Sequence, residues 1–244
     1  LPLSGGLDSR FIASMLYMGG VKDVITFSWG IPGCDDLKIG KAVAEKLGFE
    51  WHPVLYTEEA WQSLFNNDWF LRCLNYVSKY TSISGCASLP FLSYLQNNAL
   101  FSNNLEDIVI IPGHTGDFIS GGHIPSTLLN AENIEDIAYC ILNKHYTLRG
   151  SSVNPKRWEE IKHQVLIYNE LNQPKEELFR IFELWEWRER QVKFIANANR
   201  YYEFIGINWT MPFWDRRYVE FWDKVPLSLK YNKKLYKEYL GENI

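Results

Sequence analysis

A chain of 244 residues, 46% hydrophobic and 22% charged, is long enough to bury one large core or two small ones. Its formal charge of −4 argues against a broad nucleic-acid-binding face, and no apolar run approaches the ~20 residues that span a bilayer. No basic segment followed by an apolar one opens the chain, and Cys34, Cys73, Cys86 and Cys140 form no Cys-x-x-Cys. The expectation is therefore a cytoplasmic protein with free thiols rather than a disulfide or zinc scaffold.

Leu1-Pro2-Leu3 is a short strand end that runs into the turn Ser4-Gly5-Gly6. Only three residues precede that turn, where a central strand needs about five, so the sequence is read as a domain cut from a longer protein. Residues 9–18 form an amphipathic helix closed by Gly19-Gly20, and Val24–Trp29 has the length and residue types of a buried strand. Asp35 or Asp36 caps a second helix that Gly48 ends, and residues 50–55 make a strand in which Pro53 marks an edge or bend. Thr57 starts a long helix to about Lys79, and a further helix covers Ser88–Asn98. Asp107–Ile111 is the clearest strand and ends in a second glycine-rich turn, Pro112–Asp117, followed by Gly121-Gly122.

Beyond about residue 130 the pattern is helical. Pro174 opens a long run to about Phe204, in which Glu186–Arg190 and Glu189–Lys193 pair at i,i+4 on a solvated face. Ten Trp and an aromatic content of 16% are assigned to packing between helices. The order of elements predicts an α/β fold built on a doubly wound parallel sheet, with a mainly helical C-terminal half. In a single domain, residues 1–125 form the core and residues 126–244 the helical part. Ligands of such sheets sit beyond the carboxyl ends of the strands, where both glycine-rich turns fall.

The first turn is built for an anion. Gly5 and Gly6 permit close backbone approach, and the helix that follows presents unpaired N–H groups. Ser4 and Ser9 add hydroxyls. Asp8 suits an anion that arrives with Mg²⁺, which points to a nucleotide polyphosphate.

As a complete string, Ser4-Gly5-Gly6-Leu7-Asp8-Ser9 resembles the pyrophosphate-binding loop of the ATP pyrophosphatases, and it lacks the Gly-Lys-Ser/Thr of a Walker loop. Phe27-Ser28-Trp29-Gly30, Asp36-Leu37-Lys38 and Ala42–Gly48 are similar to asparagine synthetase. So is Gly113–Gly122, which resembles that family's Gly-Glu-Gly-Ala-Asp-Glu-Leu-Phe-Gly-Gly, with His114 and Phe118 at its two Glu positions. Pro212-Phe213-Trp214-Asp215 matches the turn that closes over the site, and Lys233 with Lys237 matches Lys-x-x-x-Arg.

The resemblance implies an adenine nucleotide α-hydrolase-type fold, a glutamine-hydrolysing amidotransferase when full-length, and asparagine biosynthesis as its setting. It implies that Ser4, Gly5, Gly6, Leu7, Asp8, Ser9 and Gly113 hold ATP, with Phe27, Ser28 and Trp29 as the adenosine wall. Asp8 and Asp117 would share Mg²⁺. Lys233 would neutralise the transition state, and His114 would serve the acceptor or its proton.

The implied partners are ATP, a small carboxylate acceptor, and ammonia from a glutaminase domain that lies outside this chain; a homodimer is also envisaged. The departures at His114, Phe118, Asn208 and Thr210 keep open a relative acting on another carboxylate, β-lactam-forming or sugar-acid-amidating, and a nucleotide-binding pseudoenzyme. For Lys233 the alternative is a solvated basic helix face, for His114 a structural hydrogen bond, and for Phe27–Trp29 a core strand.

Overall fold

In a computed structural model, residues 1–78, 82, 86–98, 105–147, 154–168 and 177–243 are described. The first residues lie alongside strand β1 (Ile25–Gly30): Leu3 N–H donates to Phe27 O at 2.7 Å and Phe27 N–H to Leu1 O at 3.0 Å, a parallel bridge centred on Pro2. Strand β2 (Glu50–Leu55) pairs in parallel on the other side of β1, from Ile25–Glu50 to Gly30–Leu55. Pro53 offers no N–H, which suits the edge position β2 holds among the described strands.

Helix α1 (Leu7–Met18) starts directly from the Ser-Gly-Gly turn and stops at Gly19. Helix α2 (Asp35–Leu47) makes the crossover between β1 and β2, and Gly48 ends it in the left-handed conformation at φ 72°. Its N-cap is Cys34, with no side-chain cap, rather than Asp35 or Asp36. The Asp36 carboxylate instead accepts the Gly5 N–H at 2.8 Å.

The long helix expected from Thr57 is two helices, α3 (Glu58–Phe65) and α4 (Asp68–Ser78). Thr57 caps the first by accepting from Ala60 N–H, and the Asn67 side chain breaks the run by accepting from Trp69 N–H at 2.9 Å. Lys79 lies outside the described residues, as does Pro174. Helix α5 (Leu89–Asn97) follows as expected.

The continuous doubly wound sheet is not what the ladders display. Among the described residues there are two small parallel sheets, β1–β2 and a second one of β3 (Val109–Ile110) with β4 (Asn208–Trp209). The strand at 107–111 shrinks to β3 because a 3₁₀ turn takes Leu105–Asp107 and Pro112 lacks an N–H.

Among the described residues the C-terminal half is helical, with turns between the helices, apart from β4. Helix α6 (Gly116–Ile119) is a single turn, and α7 (Ile134–His145) opens with a capping box between Asn133 and Asp136. Helices α8 (Pro155–Tyr168) and α9 (Phe179–Glu186) pack on α7 through Ile141, Ile161 and Phe182, all fully buried. A π-helical stretch, Trp187–Ala196, continues α9, and α10 (Arg200–Phe204) packs Tyr201 and Tyr202 onto a core with Phe27, Phe91 and Ile110. Helices α11 (Arg216–Asp223), α12 (Leu227–Lys230) and α13 (Lys234–Asn243) close the chain over α1 and α6 through Trp222, Val225 and Tyr236. Among the described residues no helix is long and apolar enough to cross a membrane, and the four cysteines are unpaired thiols.

Candidate functional site

The two glycine-rich turns meet. One cleft of about 260 Å³ is lined by Ser4, Gly6, Asp8 and Ser9 from the first and by Pro112, Gly113 and His114 from the second. Trp29, Asp36, Ser88 and Tyr202 complete its polar and aromatic wall. That volume is several times the ~30 Å³ a liquid water occupies, so the cleft is ligand-sized.

The first turn is pre-shaped by its own hydroxyls. Ser4 N–H donates to Ser9 Oγ at 3.1 Å, Gly6 N–H to Ser4 Oγ at 3.2 Å, and the two hydroxyls lie 3.2 Å apart. Gly5 N–H is held by Asp36. Leu7 points away from the cleft, onto the Phe118–Ile119 packing.

Glycines bring the two turns into contact around a pair of carboxylates. A Cβ on Gly113 would lie 3.0 Å from Ser9 N, and one on Gly116 only 2.6 Å from Asp8 Cγ. Asp8 Oδ2 accepts the Asp117 N–H at 2.7 Å, which ties the start of α1 to α6. Asp8 Oδ1 is buried and has no well-formed hydrogen bond among the described residues, and neither has the nearby Tyr236 hydroxyl. Burial pushes the Asp8 carboxyl upward, against the opposing effects of Tyr236 and the Asp117 N–H.

Asp117 is the opposite case. Its Oδ1 meets Lys233 Nζ at 2.5 Å and its Oδ2 lies 3.3 Å from His123 Nε2. The hydrogen bond from His123 and then the Lys233 ammonium hold this carboxyl well below the usual carboxylate range, despite partial burial. Asp8, with an orphaned oxygen at the cleft, and Asp117, joined to it by the backbone bond, fit a hard, oxygen-seeking cation. Among the described residues no group of three or more His, Cys, Asp or Glu could hold a metal by itself, so remaining ligands would come from substrate oxygens or water.

Of the other expected residues, Trp29 reaches the cleft, stacked on Phe91 with centroids 4.5 Å apart. The side chains of Phe27 and Ser28 are core: Phe27 packs on Phe91 and His52, while the Ser28 hydroxyl donates to Leu3 O and accepts from Trp51. His114 faces the cleft with Nδ1 3.2 Å from Asn199 Oδ1. Burial lowers its pKa and Asn199 only partly opposes this. Asn199 spends its amide N–H groups on Ile195 O, Ala196 O and Met211, so its oxygen is left to accept from the ring, and Nε2 is then a free acceptor. The turn at Pro212–Trp214 does sit against the site: Trp214 Nε1 donates to Thr115 Oγ1 at 2.9 Å, and Phe213 abuts Gly116.

Among the described residues, three non-glycine positions have positive φ, and all three belong here: Thr115 (79°), Asn232 (56°) and Lys233 (60°). Left-handed backbone at a β-branched Thr and at two consecutive residues is costly, and it persists where surrounding contacts impose it.

The solvated face expected for Glu186 is corrected by the structure. Glu186 is fully buried at the end of α9, with His123 Nδ1 at 2.7 Å, His145 Nε2 at 3.0 Å, Lys144 Nζ at 3.1 Å and Arg190 at 3.6 Å. Burial opposes its ionisation, but these donors override that and hold it well below its ordinary value. Glu189–Lys193 is the exposed pair that the spacing promised. His123, Lys144 and His145 carried no local motif; the one signal was their basic character around Gly121-Gly122 and at the end of α7.

A family model described as Asparagine synthase matches residues 1–243, and no curated protein matches the chain. The chain belongs to the asparagine synthase family, an ATP-dependent ligase family.

Proposed function

We propose that this domain activates a carboxylate acceptor with ATP and then forms an amide. The acceptor oxygen attacks the α-phosphorus, the bond to the bridging oxygen breaks, and acyl-adenylate and pyrophosphate result. An amine then attacks the acyl carbon and AMP leaves. In this reading the strand at residues 1–3, β1 and β3 belong to one doubly wound nucleotide-binding layer within a single domain.

The observation that carries the proposal is that Ser4, Gly6, Asp8 and Ser9 line one cleft, while Asp8 accepts the Asp117 N–H beside it and Asp117 in turn pairs with Lys233. The hydroxyls and N–H groups of Ser4–Ser9 bind the departing pyrophosphate at the N-terminus of α1. Asp8 and Asp117 would hold Mg²⁺, which neutralises charge on the phosphate oxygens. Lys233 is preset beside Asp117, from where its ammonium reaches the oxygens on which negative charge builds. Trp29 offers a flat face for the adenine ring, and His114, which lines the cleft with its Nδ1 against Asn199, accepts a proton or hydrogen bond from acceptor or amine at Nε2. Ammonia would come from a glutaminase domain, as in the family.

One observation favours an acceptor other than aspartate. The position where the resemblance expects an acidic residue holds His114, kept neutral by burial and paired with the uncharged Asn199. A β-lactam-forming or sugar-acid-amidating chemistry accommodates that exchange.

ATP–pyrophosphate exchange over a panel of carboxylic acids tests the proposal. Exchange with one acid class, abolished by Asp8→Asn, supports it. Mg-ATP binding without exchange or AMP release for any acid makes the chain a nucleotide-binding pseudoenzyme.

A further inference from the structure

Asp117 sits on α6, a single helical turn, and its side chain is 43% exposed. Neither helix length nor burial fixes such a carboxylate, so its orientation depends on the groups that hold its two oxygens. One is Lys233, on Oδ1; the other is His123, on Oδ2. Once the Lys233 ammonium moves to phosphate oxygens, His123 is the side chain left on Asp117.

His123 is itself immobilised from several sides. Its second ring nitrogen meets the buried Glu186 at 2.7 Å, its ring lies 5.7 Å from the Phe118 ring, and its carbonyl accepts the Lys144 ammonium. The Gly121-Gly122 turn delivers the ring at close range. Gly121 is left-handed at φ 94°, and a Cβ on Gly122 would lie 2.3 Å from Asp117 Oδ1.

Glu186 is an expensive backstop. A fully buried carboxylate needs charged partners, and an apolar side chain of similar volume would pack there without them. The protein instead surrounds it with Lys144, His145 and Arg190. It stands where the α-helical turns of α9 give way to the π-helical stretch, a geometry associated with functional sites.

We propose that His123, backed by Glu186, is a positioning residue that keeps the Asp117 carboxylate aimed at a nucleotide-bound divalent cation. This role rests on the reading of Asp117 given above. Ligand carboxylates are oriented by such outer hydrogen bonds, and losing one costs about 10–100-fold in metal affinity.

The test uses the full chain and Mn²⁺ as the probe, titrated by electron paramagnetic resonance with a non-hydrolysable ATP analogue, with nucleotide binding also measured in EDTA. His123→Leu and Glu186→Gln are expected to weaken nucleotide-dependent Mn²⁺ binding about tenfold or more and to leave metal-free nucleotide binding unchanged. His123→Gln, which restores one donor toward Asp117, is expected to recover most of the loss.

Wild-type Mn²⁺ affinity in His123→Leu overturns the proposal, as does equal loss of metal-free binding or a failure of His123→Gln to recover affinity. If His123→Leu does not fold, Glu186→Gln decides the matter by the same criteria. If wild-type protein shows no nucleotide-dependent Mn²⁺ binding, the reading of Asp117 is what fails, and the positioning role falls with it. Wild-type binding that Asp8→Asn abolishes and His123→Leu spares refutes the positioning role alone.

Discussion

Lys233 combines an unfavourable backbone with a charge paired to Asp117 beside the cleft, and substitutions separate the two. Its φ of 60° costs a non-glycine residue about 1–2 kcal/mol, and Asn232 before it shares that conformation. The ion pair with Asp117 is partly solvated, with side-chain exposures of 23% and 43%, so its own contribution to stability is about 0–1 kcal/mol. Lys233→Ala removes the pair and keeps the left-handed strain, so a loss of up to ~1 kcal/mol is expected. Lys233→Gly removes both, and the relief, about 1–2 kcal/mol, is offset in part by the ~0.5–1 kcal/mol a glycine loses in unfolded-state freedom. The glycine variant should therefore unfold at the higher urea concentration, by about 0.5–1 kcal/mol or ~1–4 °C in Tm. Both variants should lose about 10²–10³-fold in pyrophosphate exchange, the usual cost of removing one preset charge stabiliser. If Lys233→Gly is no more stable than Lys233→Ala, the strain argument is wrong. If either retains wild-type exchange, Lys233 is a solvated helix-face residue and the transition-state role is refuted.

In the proposed site Asp36 would compete with phosphate for the Gly5 N–H that it now accepts, so Asp36→Ala should tighten Mg-ATP binding about fivefold, as removal of ~1 kcal/mol of surface repulsion implies; calorimetric titration showing weaker binding would make Asp36 a brace of the loop instead. Gly116→Ala drives a methyl against Asp8 Cγ at 2.6 Å and should cost at least tenfold in exchange, whereas Gly241→Ala on α13, whose Cβ meets nothing within 4 Å, should leave exchange unchanged. His114 is held neutral in the fold, so the unfolded chain takes up its proton first as pH falls below 6.5 and stability drops there. Urea midpoints between pH 7 and 5 should therefore fall less in His114→Gln than in the parent, and an unchanged slope would contradict the burial argument. Burial pushes the Cys73 thiol up to about 12 and raises Cys140 as well, so a thiol reagent at pH 8 should modify Cys34 and Cys86 first.

The parts that were legible in the sequence are those governed by neighbours along the chain. Ser4–Ser9 announced itself because two glycines and a helix start are local features, and β1, α2 and β2 followed from runs closed by Gly48. Local reading overextended the strand at 107–111, because periodicity carries no information about the 3₁₀ turn at Leu105–Asp107. It missed β4 altogether, since two residues give no period and their partner in β3 lies about a hundred positions away. For Phe27 and Ser28, strand type was read correctly, but which wall their side chains face depends on Phe91 and Trp51.

Glu186 shows why the charged part of the site escaped. Its i,i+4 spacing to Arg190 states that the two are neighbours on a helix; it does not state whether that face meets water or protein. The decision is made by His123, 63 residues earlier, and by Lys144 and His145 at the end of α7. Local propensity argues against Thr115, Asn232 and Lys233 in left-handed backbone, yet those residues and the buried Glu186 are gathered around Asp8 and Asp117. Local rules fail where a structure is held away from its local minimum by long-range contacts, and functional sites are where that tension is commonly retained. Among the described residues these exceptions connect to Asp8 and Asp117 beside the cleft, which supports a functional site there independently of the loop motif, and His123 joins the buried Glu186 to Asp117.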